Sequence, residues 1–234
     1  MGKNICIIPA RGGSKRIPRK NIKKFLGKPI IAYSIEIALK SELFDEVMVS
    51  TDDAEIAEIA KKYGATVPFF RSQEKANDLA TLNDVLEEVV DFYKQKLDKT
   101  FDFGCCLLPT SPLLKSEFLI QGLKELKDKK FDSLRPITEF SYPPQRGFLM
   151  DSDSGLVQFA NPEYALTRSQ DLEKLYHDAG QFYMFKIPGL LKGEKRGAIV
   201  VPNSIVQDID TEEDWVLAEM KYEFLTLKGI SGDI

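Results

Sequence analysis

Residues 8–21 read IPARGGSKRIPRKN and follow directly on the apolar run Ile5-Cys6-Ile7-Ile8. A short apolar run of this kind reads as a buried strand, and open α/β sheets place their ligands just beyond such strands. Gly12 and Gly13 lack a Cβ, so the loop is expected to adopt φ > 0 there and bring its N–H groups close to an oxyanion. Arg11, Lys15, Arg16, Arg19 and Lys20 add charge, and arginine adds a planar fork matched to phosphate oxygens. Pro9 and Pro18 oppose coiling of the loop into a helix. The stretch reads as a cradle for a polyphosphate. A basic loop with two glycines is also compatible with a solvated turn, but two observations favour a ligand: its position behind a buried strand, and a chain whose net charge is −4. Its spacing fits neither GxxxxGK[ST] nor GxGxxG.

Working outward, strands and helices alternate. Glu46–Ser50 reads as a strand, followed by Thr51-Asp52-Asp53, an N-cap signal for a helix over Ala54–Tyr63 that Gly64 closes. A helix from Pro29 to about Leu39 precedes it, with Ile31, Ile35, Ala38 and Leu39 on one face. Thr66–Phe70 is expected to be a third strand, and Thr81 to start a helix striped with Leu82, Val85, Leu86, Val89 and Val90. Phe101–Leu108, FDFGCCLL, has the composition of a central parallel strand. A helix over Ser116–Lys127 and strands at Ser133–Thr138, Gln181–Lys186 and Ala198–Val201 follow. The last helix spans Glu212 to about Leu227, capped by Thr211 with Asp214. This rhythm predicts an α/β, doubly wound, mostly parallel sheet. It breaks between Phe140 and Tyr176, where prolines and the turn DSDSG imply a hairpin of 147–150 with 156–160. The expected organisation is a core of 1–139 and 177–228, an inserted β/loop arm at 140–176 suited to dimerisation, and a frayed tail at 229–234.

The chain's 234 residues, 43% hydrophobic and 29% charged, suit one large globular domain. No apolar run approaches the ~20 residues of a membrane span, and no secretory signal is apparent. Three cysteines, two adjacent at Cys105-Cys106, suit a reducing cytoplasm. The acidic balance argues against nucleic acid as a partner, and a single histidine without a CxxC pair argues against zinc.

The second chemical signal is Gln207-Asp208-Ile209-Asp210-Thr211. In an extended segment Asp208 and Asp210 share a side and Ile209 faces the core, so two carboxylates are presented together, which suits Mg²⁺. The bland reading is a helix cap with a neighbouring acid. Leu108-Pro109-Thr110-Ser111-Pro112 follows the expected central strand, where its hydroxyls would meet a sugar or merely cap a helix. Arg71, Arg146 and Arg168 are candidates for anion contacts, and surface arginine is the default for each. His177, beside Asp178 and just before Gln181, marks either a polar site or a structural histidine.

Taken together, IPARGGSKRIPRKN, VSTDDAEIAEIAKKYGA, LLPTSPLL and QDIDTEEDW resemble the CMP-sialic acid synthetase family of cytidylyltransferases, in order and over residues 5–215. YPPQRG, TRSQDL and HDAGQFY look most like its pseudaminic acid branch. The resemblance implies a Rossmann-like nucleotidyltransferase fold, CTP and a nine-carbon acidic sugar as substrates, Mg²⁺, and a homodimer. It implies catalytic roles for Arg11, Lys20, Asp208 and Asp210, with Mg²⁺ on the two aspartates and Asp208 as a proton acceptor. It also implies nucleotide contacts from Ala10, Arg11, Gly12, Gly13, Ser14, Lys15, Lys20, Asn21, Arg71 and Thr81. Sugar contacts would come from Leu108, Thr110, Ser111, Arg146, Arg168, His177 and Gln181. Many sialic acid synthetases carry a glutamine where this chain has Leu108, so the resemblance implies a sugar other than N-acetylneuraminate. Legionaminate, N-acetylneuraminate and 3-deoxy-manno-octulosonate remain alternative acids. A catalytically silent nucleotide-binding protein is a further alternative, against which both aspartates count.

Overall fold

The computed structural model describes residues 2–76 and 80–227; the expected tail at 229–234 lies outside them. Eleven strands occur among the described residues: β1 Asn4–Pro9, β2 Lys24–Phe25, β3 Lys28–Pro29, β4 Glu46–Ser50, β5 Phe103–Leu107, β6 Ser133–Glu139, β7 Phe148–Met150, β8 Val157–Phe159, β9 Tyr176–Asp178, β10 Phe182–Lys186 and β11 Arg196–Val200. The helices are α1 Ile30–Lys40, α2 Ala54–Lys62, α3 Gln73–Ala76, α4 Leu82–Lys96, α5 Ser116–Asp128 and α6 Glu212–Leu227.

The main sheet runs β11-β6-β10-β5-β1-β4, with β9 added on β6. β4, β1 and β5 are mutually parallel, as are β6 and β11, while β10 and β9 run against their neighbours. Alternation along β1 divides the core. Cys6 and Ile8 face α1, α2 and α5, whose Ile31, Ile35, Ile56, Ala60, Leu119 and Leu126 are buried with them. Ile5 and Ile7 face Leu86, Val89 and Tyr93 of α4. Helices therefore cover both sides, which explains why β1 is apolar throughout. Leu39, expected on the core face of α1, is instead 41% exposed.

A third buried cluster decides the site. Ile17 of the basic loop packs with Phe25, Ile30, Tyr33, Ile209, Trp215 and Ala218. Phe25 meets the rings of Tyr33, Trp215 and Tyr222 edge-on at centroid distances of 5.4, 5.7 and 5.8 Å. Burial of this much aromatic surface glues the acidic segment before α6 to the basic loop, although ~190 residues separate them in sequence. The β2–β3 hairpin that carries Phe25 turns through Leu26 and Gly27, at φ 46° and 89°. Two positive φ angles are the geometry of a tight hairpin turn, but Leu26 in place of asparagine hides the signal.

Thr66–Phe70 is not a strand. Only Thr66 bridges to Met48, and Pro68, without an N–H, prevents the ladder from continuing. The expected strand over 101–108 is shorter, at Phe103–Leu107. The hairpin in the arm is present, as β7 paired with β8. The chain leaves the sheet after Glu139 and returns at Tyr176, which pairs with it.

Candidate active site

Beyond the C-terminal ends of β1 and β5 lies a cleft of about 510 Å³. Arg11, Ser14, Lys15, Arg16, Lys20 and Asn21 of the basic loop line one wall, Arg71, Lys75, Thr81 and Val85 another, and Leu108, Pro109 and Thr110 a third. Ala10 is buried and donates its N–H to the Ser50 carbonyl at 2.9 Å, which continues the sheet into the loop. Asn21, also buried, donates from Nδ2 to the Arg11 carbonyl at 2.9 Å and holds the loop's two ends together.

The glycines work differently from the expectation. Neither Gly12 nor Gly13 has a positive φ; the loop's left-handed residue is Arg19, at φ 55°. Gly12 is needed for close approach, since a Cβ there would lie 2.7 Å from Asp53 Oδ2. Arg19 does not extend the phosphate cradle either. Its guanidinium is engaged by both oxygens of Asp53 and, at 2.6 Å, by Glu55. The bond to Asp53 raises the Arg19 pKa and holds the Asp53 carboxyl below its ordinary value.

Lys20 links cradle and acids. Its Nζ donates to the Ile209 carbonyl at 2.5 Å and lies 3.4 Å from Asp210 Oδ1, while Arg16 pairs with Asp210 Oδ2 at 2.7 Å. Ile209 is fully buried, so the carboxylates on either side of it turn the other way. Crowding by the protein, and then the Asp210 charge, hold the Asp208 carboxyl above its ordinary value, with Lys20 opposing. The helix cap lies one step further on: Thr211 Oγ1 accepts from Asp214 N at 3.2 Å, and Asp214 Oδ2 accepts from Thr211 N at 2.8 Å. Asp210 therefore has no capping duty of its own. Arg71 is buried, donating to Ser50 Oγ at 3.0 Å and to the Ser50 carbonyl at 2.5 Å, and burial lowers its pKa. Thr81 Oγ1 is held in a capping box with Asp84.

A family model described as cytidylyltransferase matches residues 5–197. The chain belongs to the cytidylyltransferase family. It is 44% identical over 226 residues to the pseudaminic acid cytidylyltransferase of Campylobacter jejuni, covering 94% of this chain and 97% of that one. It is 36% identical over 233 residues to the CMP-N,N'-diacetyllegionaminic acid synthase of Legionella pneumophila, covering 94% and 96%. The fold is shared with CMP:2-keto-3-deoxy-manno-octonic acid synthetase complexed with CTP, at TM-score 0.68 and 19% identity over 96% of this chain and 99% of that one.

Within this cytidylyltransferase the remaining candidates separate. Leu108 and Thr110 line the cleft. Ser111 and Gln181 are buried behind it. Ser111 Oγ donates to the Gln181 carbonyl at 3.3 Å and Gln181 Nε2 to the Ile205 carbonyl at 2.6 Å, while Gln181 Oε1 has no partner among the described residues. Arg146 and Arg168 sit on the arm, where Arg146 reaches Ser169 Oγ at 3.5 Å and Arg168 pairs with Asp171 at 2.7 Å. His177 lies in β9 with its ring 4.8 Å from that of Phe140. None of these three lines the cleft.

Some neighbours escaped the sequence reading. Lys75 lines the cleft from α3, four residues after Arg71. Asp52 and Asp53 were legible only as a cap, although VSTDD is among the resembling strings. Arg135 of β6 pairs with Asp178 at 3.0 Å and lies 5.1 Å from the centroid of the Tyr183 ring, beyond Leu108 on the sheet. Burial and then Asp178 raise the Tyr183 phenol. An arginine inside the strand SLRPITE was the available signal.

Proposed function

We propose that the chain transfers CMP from CTP to the anomeric hydroxyl of pseudaminic acid, releasing pyrophosphate. One observation carries the reading: a cationic loop at the sheet's ligand edge is joined through Lys20 to a pair of carboxylates in the acidic segment. The similarity to the Campylobacter jejuni enzyme supports the choice of sugar. Leu108 on the cleft wall supports it too, because a side chain unable to hydrogen-bond disfavours a sugar group that needs a polar partner there.

The displacement forms a bond from the anomeric oxygen to the α-phosphorus and breaks the one to the β-phosphate bridge. Positioning and charge neutralisation are its main needs. Arg11, Lys15 and Lys20 would hold the triphosphate and favour departure of pyrophosphate. Arg71 and Asn21 would fix the nucleoside end. Asp208 would take the hydroxyl proton, directly or through a water.

Asp208 and Asp210 fit Mg²⁺. The Asp210 charge is felt at Asp208, so the two carboxylates lie near one another, and substrate phosphates and water would complete the oxygen donor set that Mg²⁺ prefers. Bound there, Mg²⁺ would neutralise charge on the α-phosphate.

The arm supports a homodimer. Tyr142, Met150, Leu156 and Leu166 are 87, 70, 73 and 98% exposed, apolar side chains that nothing among the described residues covers. In this reading the arm seats on a second copy and carries Arg146 and Arg168 to that copy's sugar site. All three cysteines are buried and unpaired, in keeping with a cytoplasmic location, and no helix among the described residues is long and apolar enough to cross a membrane. The test is pyrophosphate release from CTP and Mg²⁺ with a panel of nine-carbon ulosonic acids. Pseudaminic acid should give the highest kcat/KM, and a strong preference for N-acetylneuraminate would overturn the sugar assignment.

A further inference from the structure

We propose that Asp52 and Asp53, at the start of α2, form a clamp that sets the working shape of the phosphate loop, and that Asp53 and Arg19 are positioning residues for nucleotide binding. The loop enters at Gly12 and leaves at Arg19, and both ends meet these two neighbouring acids. Gly12 donates its N–H to Asp52 Oδ1 at 2.9 Å, and a Cβ added there would lie 2.7 Å from Asp53 Oδ2, so a side chain at this position would push Asp53 aside. At the other end Arg19 forks onto Asp53, one arm reaching Oδ2 and the other reaching Oδ1 at 3.0 Å and Glu55 at 2.6 Å.

Asp53 is itself a fixed point. Its Oδ1 accepts the Ile56 N–H at 3.0 Å as the N-cap of α2, and its own N–H reaches Thr51 Oγ1 at 3.2 Å. The loop is thus referenced to a packed helix at the end of β4. Arg19 has left-handed backbone at φ 55°, a conformation unfavourable for a residue with a side chain. Such a conformation persists where surrounding contacts over-determine it, and the three-contact fork does so. The next residue is Lys20, whose Nζ bridges to the acidic segment, and Asn21 then ties back to Arg11. Releasing Arg19 would therefore displace the cation that joins cradle and carboxylates. An exposed ion pair contributes little to stability, so the clamp's effect is on position.

The proposal rests on the loop being the triphosphate site, so its test includes a readout that needs no substrate. Asp53→Asn keeps a good N-cap while weakening the fork, and Arg19→Gln removes the fork's charge. Amide hydrogen exchange on the ligand-free full chain should rise about tenfold across residues 12–20 in each variant, with β1 and α4 unchanged. KM for CTP should rise about tenfold, and the double variant should match a single one, because both remove one shared interaction. Unchanged loop exchange in both single variants would overturn the clamp. So would losses that multiply in the double variant, or a raised KM in Arg19→Gln without faster exchange, the mark of a direct phosphate ligand. A wild-type chain that does not use CTP would remove the nucleotide reading, and loop exchange would still decide the clamp.

Discussion

The two halves of the cleft are built to different standards. On the proposed nucleotide side the chain completes its own wall: the basic loop is tied at both ends, Arg71 is buried against Ser50, and Lys20 is held by the acidic segment. On the proposed sugar side Leu108, Pro109 and Thr110 reach the cleft, while Arg146, Arg168 and His177 sit apart from it and the arm shows its apolar side chains to solvent. A region with its hydrogen bonds and apolar contacts satisfied internally is finished as a monomer. One that presents unburied Leu166 and Met150 beside the exposed Arg146 and Arg168 is what a second copy would complete under the proposed homodimer.

The largest expected effect tests the finished half. Asp210→Asn preserves shape and leaves the Thr211–Asp214 cap intact. If Asp210 holds Mg²⁺ at the α-phosphate, the variant folds normally and kcat falls at least ~10²-fold, about 2.7 kcal/mol of transition-state stabilisation. If it only pairs with Arg16 and Lys20, kcat is near normal and stability drops by ~1 kcal/mol or less, measured by denaturant unfolding.

The unfinished half is tested by mixing subunits. Arg168→Ala should raise KM for the sugar about tenfold and leave KM for CTP unchanged. If the arm acts on the partner's site, Asp210→Asn and Arg168→Ala subunits refolded together regain one fully competent site per mixed dimer. Sugar KM at those sites returns to the wild-type value, with roughly a quarter of its turnover for random pairing. If the arm serves its own chain, mixing regains nothing.

The same division governs what was legible in the sequence. The sheet and α4 follow from periodicity, because local pattern and tertiary burial agree there, whereas α6 was legible from its Thr211–Asp214 cap alone and leaves Val216, Met220 and Phe224 exposed. The cradle was legible as charge and glycine behind a strand, yet two of its parts changed meaning in three dimensions. Arg19 looks like Lys15 or Arg16 in a string of cations, and only the fold brings Asp53 and Glu55 to it from 34 and 36 residues away. Gly12 signals freedom of φ, whereas here it permits contact. Thr66–Phe70 had strand composition, and Pro68 outweighed it. The sugar side was least legible. Its candidate cations lie on an insertion that stands apart from the cleft in this chain, and Arg135 meets Asp178 only because β9 folds back onto β6.

The smallest effect concerns how the finished half is held, and its sign follows from Asp53. The hydrogen bond from Arg19, aided by the Ile56 N–H, lowers the folded-state pKa of this carboxyl against the opposing influence of burial. A carboxylate with a depressed folded pKa contributes stability that is fully present above its unfolded value, about 3.9, and lost as pH falls through the folded value. Wild type should therefore melt above Asp53→Asn at neutral pH, by no more than a few degrees, because a partly exposed pair is worth roughly 1 kcal/mol or less in a chain of this size. The gap should hold from pH 7 to about 5 and close below about 3.9, where protonation leaves a neutral acid much like the amide. Thermal unfolding of both proteins across that range is the measurement. A gap that widens on acidification would mean that the folded chain disfavours the ionised carboxyl. Arg19 would then not hold Asp53 as a carboxylate, and the nucleotide side would owe its order to burial alone.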